Sequence, residues 1–367
     1  MSRPSSATVD IQALRENFSL AQSLAPNSKT MPMVKANAYG HGAVPIAKAL
    51  SDIAPAFGVA CIEEAIELRK AGINQPILLL EGTYSADEVP VAEQENFWLM
   101  VENRPQVEAI TRAKLKNPVN VWIKLDTGMH RLGFPAHEAQ SIFERLSASE
   151  NVNQQIVLAT HFAWADSLTE QMTEQQLSSF ESNIKSIQSS GILQSLANSA
   201  AILGWPQTQR DWQRPGYMLY GNSPFATAQD NADKLKPVMT FSSAIISIRT
   251  VQTGESVGYT ANWIADRVSR IATVAVGYGD GYPRHAPNGT PVLIQGVECP
   301  LVGRVSMDMI TVDITDLPRA TSIGDKVTLW GPDLPVNKIA TCCNSIGYEL
   351  LTRMPSRIPR IYINQPQ

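Results

Sequence analysis

Over roughly the first 225 residues, short aliphatic or β-branched runs alternate with longer stretches whose apolar positions recur at helical spacing. The first helical stretch opens on Asp10, a residue type suited to capping a helix N-terminus, and Ile11, Leu14, Phe18 and Leu24 follow it. Strands are expected at 31–34, 56–60, 77–80, 97–101, 119–125, 156–160, 193–197 and 216–220. Helical patterns separate most of them; the one over 62–71 carries Glu64 ahead of Leu68 and stops at Gly72. Strands alternating with helices predict a parallel sheet. Eight such units predict an α/β barrel of the TIM-like (β/α)8 kind, with a doubly wound open sheet as the alternative.

From about Pro237 the texture changes. Short β-prone runs at 241–249, 270–276, 291–294, 301–305, 310–314 and 326–330 are punctuated by Gly254, Gly279-Asp-Gly281, Asn288-Gly289, Gly296 and Gly324-Asp325. The pattern predicts a barrel over 1–236 and a mainly β C-terminal domain over 237–367, with the boundary within 234–237. No low-complexity segment or internal repeat interrupts it.

Composition narrows the class. A chain of 367 residues, 44% hydrophobic and 17% charged, fits a soluble globular enzyme of one large barrel or two domains. A net charge of −4 argues against a basic nucleic-acid footprint. No apolar run approaches the ~20 residues of a membrane helix, and the N-terminal segment lacks an apolar signal core. Four cysteines make a poor disulfide framework, and the five histidines stand at no zinc-site spacing. The expectation is a cytoplasmic protein without a metal, a nucleic-acid partner or a membrane partner.

In a barrel the chemistry gathers on the loops after the strands, with phosphate usually held after strands seven and eight. Those loops read Lys35-Ala-Asn-Ala-Tyr39-Gly-His-Gly42, Asp126-Thr-Gly-Met-His-Arg131, His161-Phe-Ala-Trp-Ala-Asp166 and Ala197-Asn-Ser199-Ala, with Arg214-Pro-Gly216-Tyr217 announcing the eighth strand. Lys35 ends an apolar strand. By itself such a lysine snorkels or pairs with a carboxylate, but a buried lysine also has a depressed pKa and can form a Schiff base. A phosphate site built from Ser199 and the Gly216 and Tyr217 amides, opposite that lysine, points to pyridoxal 5'-phosphate. Ser199 alone reads equally as a helix cap.

The segment Val34-Lys-Ala-Asn-Ala-Tyr-Gly-His-Gly42 resembles the cofactor-lysine signature of the alanine racemases, fold-type III pyridoxal-phosphate enzymes. The resemblance continues in order through Lys124-Leu-Asp-Thr-Gly-Met-His-Arg-Leu-Gly133, Ala197-Asn-Ser-Ala-Ala201 and Arg214-Pro-Gly-Tyr-Met-Leu-Tyr-Gly221. In the second domain it runs through Val257-Gly-Tyr259, Gly277-Tyr-Gly-Asp-Gly-Tyr-Pro-Arg284 and Gly303-Arg-Val-Ser-Met-Asp-Met309. No one segment decides the matter; the ordered set, spanning essentially the whole chain, is specific.

The resemblance implies a two-base racemisation of L- and D-alanine in a head-to-tail homodimer, supplying D-alanine for peptidoglycan. Lys35 would carry the cofactor as a Schiff base and act as the base on the D side. Tyr259, reaching in from the other subunit, would act on the L side. A tyrosine is a poor base at its ordinary pKa of about 10, and the implied relay from Tyr259 to His161 to Arg214 supplies the positive charge that lowers it. Arg214 is implied at the pyridine nitrogen, where an obligate cation disfavours a proton and suppresses transamination. Tyr39 and Tyr348, with Ser199 and the Gly216 and Tyr217 amides, are implied at the phosphate. Arg131 and the Met307 backbone N–H are implied at the substrate carboxylate. Lys124 matches a lysine carbamylated in many relatives, although it reads equally as a partner of Asp126. Asp166, Tyr278 and Arg304 fall where relatives line the entrance to the site.

Two departures stand out. Many relatives carry glycine after the catalytic tyrosine, whereas this chain reads Tyr259-Thr-Ala-Asn-Trp263, and Tyr217 stands where an aliphatic residue is frequent. Three other readings compete. A non-catalytic cofactor carrier would resemble the first domain alone, and the β domain bearing Tyr259 and Met307 argues against it. A fold-type III decarboxylase would use phosphate and cysteine signatures absent here. A broad-specificity amino-acid racemase differs only in pocket detail, and the small pocket implied by the family favours alanine.

Overall fold

The computed structural model describes residues 3–187 and 191–365. Eight short parallel strands form one sheet: Lys29–Thr30, Phe57–Val59, Ile77–Leu79, Phe97–Val101, Val121–Lys124, Val157–Ala159, Leu193–Ser195 and Trp212–Gln213. Lys29–Thr30 pairs with Trp212–Gln213, and a parallel bridge between Met33 and Gly58 joins the two ends, so the sheet returns on itself as a barrel. Strands covered on both sides read as continuous apolar runs, and Phe57–Val59, Ile77–Leu79 and Val157–Ala159 are buried throughout.

The tryptophans at 98, 122 and 212 come from opposite sides of the barrel and meet with ring centroids 5.5–6.2 Å apart. They fill the interior toward the N-terminal ends of the strands. The C-terminal ends are left to carry a cavity.

The helices start and stop for local reasons. Asp10 caps Ile11–Leu24, its carboxylate accepting from the Gln12 and Ala13 amides. Ile62–Lys70 ends at Ala71, followed by Gly72 at φ +88°.

Three expected strands are not strands. The run 31–34 contributes only the Met33 bridge, and the first strand is Lys29–Thr30 just before it. The run 216–220 is a buried 3-10 turn, Tyr217–Tyr220, and the eighth strand is Trp212–Gln213 just before it. A short apolar run signals burial but does not separate a strand from a tight helical turn. The run 301–305 contributes only a bridge from Leu301 to Val312, whereas Val297–Pro300 forms a hairpin with Pro291–Ile294 through Gln295 and Gly296, both at positive φ.

The second sheet orders Val297–Pro300, Pro291–Ile294, Lys326–Trp330, Met239–Val251, Ser6–Asp10 and Arg360–Ile363, with Ser269–Val274 and Ile310–Asp313 continuing from Met239–Val251. Ser6–Asp10 lies antiparallel to Met239–Val251 and parallel to Arg360–Ile363, so an N-terminal segment is part of the C-terminal sheet. Two helices, Val336–Cys342 and Gly347–Thr352, interrupt the β pattern, and the second brings Tyr348 to the barrel mouth. One continuous apolar core runs through barrel and sheet. Among the described residues no helix is long and apolar enough to cross a membrane.

Candidate active site

A cavity of about 1560 Å³ opens at the C-terminal ends of the barrel strands. Eleven of the residues singled out in the sequence line it: Lys35, Tyr39, Lys124, Arg131, His161, Asp166, Ser199, Arg214, Gly216, Tyr217 and Tyr348.

Lys35 follows the closing bridge of the barrel and leads into an unusual backbone. Ala36, Asn37, Ala38 and Tyr39 all have φ between +50° and +54°, one turn of left-handed helix. Each such residue costs ~1–2 kcal/mol, so the turn exists only because its surroundings hold it. The Lys35 amine makes no hydrogen bond or ion pair among the described residues. Burial lowers its pKa, with Glu81 opposing and Arg131 adding to the shift.

On the opposite wall the sequence left Ser199 as a possible helix cap. Asn198 takes that role, accepting from the Ala201 amide at 3.1 Å. The Ser199 hydroxyl oxygen instead accepts from the Gly216 amide at 2.9 Å and the Met218 amide at 3.3 Å. With its acceptor capacity used, its proton is free to point into the cavity. A Cβ on Gly216 would come within 2.5 Å of the Tyr39 hydroxyl, so only glycine allows this approach. Tyr348 stacks on Tyr217 with centroids 3.7 Å apart. Burial pushes the Tyr39 pKa up to about 12 and raises that of Tyr348, so both phenols stay protonated donors.

Arg214 is buried in the floor. Its guanidinium donates to the Ser195 hydroxyl, to the Thr160 carbonyl at 2.6 Å and to the Leu196 carbonyl at 3.2 Å. Burial brings its pKa down to about 10, which leaves it a cation at neutral pH. His161 is held well below its usual pKa by burial and then by the Arg214, Lys124, Arg131 and Lys35 charges, so its ring is neutral. Within one chain the guanidinium hydrogen bonds of Arg214 go to that hydroxyl and those carbonyls, not to the His161 ring.

Lys124 does not pair with Asp126. Asp126 accepts from the Gly128 and His130 amides, each at 3.0 Å, and meets the His130 ring at 2.9 Å. Lys124 faces Glu102 at 3.6 Å, an ion pair too long for a hydrogen bond. Burial drives both toward neutrality, lowering the lysine and raising the glutamate, whose two carboxylate oxygens have no hydrogen-bond partner among the described residues. Arg131 and Asp166 are exposed at the rim.

Four of the singled-out residues lie outside this cavity. Tyr259, Tyr278, Arg304 and Met307 are exposed on the C-terminal domain. Their loops brace one another. The Tyr278 amide donates to the Ser306 carbonyl at 3.0 Å, the Gly279 amide to the Met307 carbonyl at 2.8 Å, and a Cβ on Gly258 would lie 3.3 Å from the Arg304 nitrogen. Asn288 bridges the same loops, donating to the Asn262 carbonyl and accepting from the Gly303 amide. Thr260 has φ +63°, the conformation glycine adopts most easily, which accounts for the difficulty of placing a β-branched residue after Tyr259.

Sequence reasoning passed over Glu81 and Glu102. Both immediately follow expected strands, 77–80 and 97–101, and a carboxylate at the C-terminal end of a barrel strand was the signal.

Known proteins share this arrangement. The family model described as alanine racemase, N-terminal domain, matches residues 9–224, and that described as alanine racemase, C-terminal domain, matches 238–362. An alanine racemase of Chromohalobacter salexigens is 48% identical over 364 residues, covering 99% of each chain. A catabolic alanine racemase of Pseudomonas aeruginosa is 50% identical over 360 residues, covering 98% of this chain and 99% of its own. The crystal structure of the biosynthetic alanine racemase of Pseudomonas aeruginosa superposes with a TM-score of 0.94 at 48% identity, over 98% of this chain and 99% of that one. The Bartonella henselae alanine racemase, solved with covalently bound pyridoxal phosphate, superposes with a TM-score of 0.89 at 32% identity, over 98% and 99%. With family models over both parts of the chain and relatives along nearly its full length, this protein belongs to the alanine racemase family.

Proposed function

We propose that this protein interconverts L- and D-alanine with pyridoxal 5'-phosphate carried on Lys35, and that its D-alanine supplies peptidoglycan. The observation that carries the reading is the half-buried Lys35 amine, without a hydrogen bond or ion pair among the described residues, facing the Ser199, Tyr39 and Tyr348 hydroxyls across one cavity. The donor set fits the cofactor. Ser199 has a proton to give, the Tyr39 and Tyr348 phenols stay protonated, and Gly216 leaves room for close approach. Those groups, with the Tyr217 amide, are assigned to the phosphate. When bound, the cofactor supplies an electron sink that makes the substrate Cα–H acidic.

The protein's own groups then decide where protons go. Lys35, its pKa lowered by burial, takes a proton from one face of Cα and returns it. Removal from one face and return to the other requires a second base, assigned to Tyr259 of the partner subunit in a head-to-tail homodimer. Its exposed position here suits a group that reaches into a neighbouring chain. The cationic Arg214 is assigned to the ring nitrogen, which it discourages from taking a proton, and neutral His161 is assigned between it and that tyrosine. Arg131 and the Met307 N–H hold the substrate carboxylate, and Asp166, Tyr278 and Arg304 line the entrance. Residues 1–236 thus supply Lys35 and most of the cofactor contacts, and 237–367 supply Tyr348 and the opposing base. The half-buried Lys124 amine, its pKa lowered by burial, is suited to carbamylation, because the neighbouring Glu102 is itself pushed toward its neutral form.

Chiral analysis of L-alanine incubated with the purified protein and cofactor tests the reading, beside Lys35→Ala and Tyr259→Phe. The expected result is rapid conversion by the unaltered protein and loss of at least ~100-fold in either variant. Cofactor binding without conversion of alanine rejects the substrate assignment, and serine, lysine and arginine are the next to try.

A further inference from the structure

The left-handed turn after Lys35 is held at its far end by several contacts. The Asn37 carbonyl oxygen of the side chain accepts from the Ala43 amide at 2.8 Å. The His41 ring meets the Ala38 and Tyr39 carbonyls at 3.0 and 2.9 Å, and Arg360 donates to the Gly40 carbonyl at 3.1 and 3.0 Å. Its near end, beside the lysine, is held by one side chain among the described residues. Glu64, in the first turn of Ile62–Lys70, accepts from the Ala36 amide through Oε1 at 2.7 Å and from the Ala60 amide through Oε2 at 2.8 Å. Ala60 directly follows the strand Phe57–Val59. A single carboxylate therefore ties the residue after Lys35 to the end of the adjacent barrel strand, beside the Met33–Gly58 bridge that closes the barrel.

We propose that Glu64 is a positioning residue for Lys35, fixing the entry to the left-handed turn and so the direction in which the lysine leaves the barrel. This rests on the reading of Lys35 as the cofactor lysine. The geometry requires a carboxylate, because two backbone donors converge on two oxygens and an amide in its place would set an N–H against an N–H. The same charge also opposes loss of the Lys35 proton, alongside Glu81 and against Arg131 and Arg214. Glu64 thus acts on the lysine in two separable ways, through backbone order and through charge.

The test uses the full-length protein carrying Glu64→Gln, which keeps the side-chain length, with Glu64→Ala as the stronger change. Amide hydrogen exchange is followed along the chain, and added pyridoxal phosphate is followed by the absorbance of its lysine adduct across pH. The adduct forms when Lys35, having given its ammonium proton to solvent, attacks the aldehyde carbon through Nζ and one water leaves. In Glu64→Gln the exchange over 36–39 rises about tenfold, the effect of ~1.4 kcal/mol, while that over Val121–Lys124 is unchanged. The capture rate at its high-pH plateau falls about tenfold, and the pH midpoint of capture moves down as a counter-charge is lost. Unchanged exchange over 36–39 with an unchanged midpoint overturns the proposal, as does exchange that rises equally throughout the chain. If the unaltered protein forms no adduct at Lys35, the cofactor reading fails instead, and the exchange data still decide whether Glu64 holds the turn.

Discussion

His41 is fully buried two residues beyond Tyr39, its ring stacked on Tyr220 with centroids 4.4 Å apart. Its Nδ1 serves the Ala38 and Tyr39 carbonyls, and its Nε2 has no hydrogen-bond partner among the described residues. Burial pushes the pKa down from 6.5 to about 4, with the two carbonyls opposing and Arg360 contributing a smaller decrease. The unfolded chain therefore takes up a proton at a pH where the folded chain does not, and stability rises with pH between about 4 and 6.5. The contribution is complete above the unfolded pKa and lost below the folded one. A shift of this size corresponds to about 3 kcal/mol. Urea midpoints measured from pH 7 down to pH 4 are expected to fall accordingly, and to fall less in His41→Asn, whose amide can still serve the two carbonyls. Glu102, with its pKa raised by burial, acts in the opposite sense and is unaffected by that substitution. An equal slope in both proteins would exclude His41 as a source of acid sensitivity.

At the scale of elements, the segment Tyr217–Tyr220 couples barrel and C-terminal domain. The Tyr217 hydroxyl donates to the Asn337 side chain at 2.5 Å, Asn337 donates onward to the Ser223 carbonyl at 2.8 Å, and the Tyr217 ring covers Tyr348 at an interplanar angle of 12°. A Cβ on Gly347 would lie 1.9 Å from the Tyr217 hydroxyl, so the helix that carries Tyr348 begins on glycine where this tyrosine requires it. Tyr217→Phe keeps the stack and leaves Asn337 short of a donor, for an expected loss of about 1 kcal/mol. Tyr217→Ala removes the ring as well and is expected to cost about 3–5 kcal/mol. Chemical unfolding of both variants checks the order. Weaker cofactor binding in Tyr217→Ala than in Tyr217→Phe would place the effect at Tyr348. This segment also marks where sequence reading stops. Six of the eight barrel strands were legible because a buried strand is a short apolar run between helical patterns, and Ser199 was legible because it follows such a run; the first was displaced to 31–34 because Lys29–Thr30 is only two residues long. The eighth was misplaced because Trp212–Gln213 is two residues long, whereas the buried turn after it looks more like a strand than the strand does. Glu64 is visible in the sequence as a helix residue, yet its link to Ala36 crosses 28 positions and no periodicity records it.

The whole molecule presents its candidate chemistry on two surfaces. Lys35, Arg214, Ser199 and Tyr39 sit in the barrel mouth, while Tyr259 and Met307 stand 69% and 55% exposed on the C-terminal domain, outside that cavity. A tyrosine so exposed is of little use as a base unless another surface covers it and brings a substrate to it. The head-to-tail homodimer proposed above would do both, because two-fold symmetry makes a contact between one chain's C-terminal domain and the other's barrel reciprocal. This arrangement has a consequence that an intrachain site lacks. Mixing Lys35→Ala with Tyr259→Phe and allowing subunits to exchange produces heterodimers in which one site lacks both groups and the other has both. Random exchange of equal amounts makes half the dimers mixed, each with one intact site of two, so activity should recover to about a quarter of the unaltered enzyme's. Either variant alone stays inactive. If lysine and tyrosine worked within one chain, every site in the mixture would lack one group and no activity would return, so racemisation rising with the time allowed for exchange distinguishes the two arrangements.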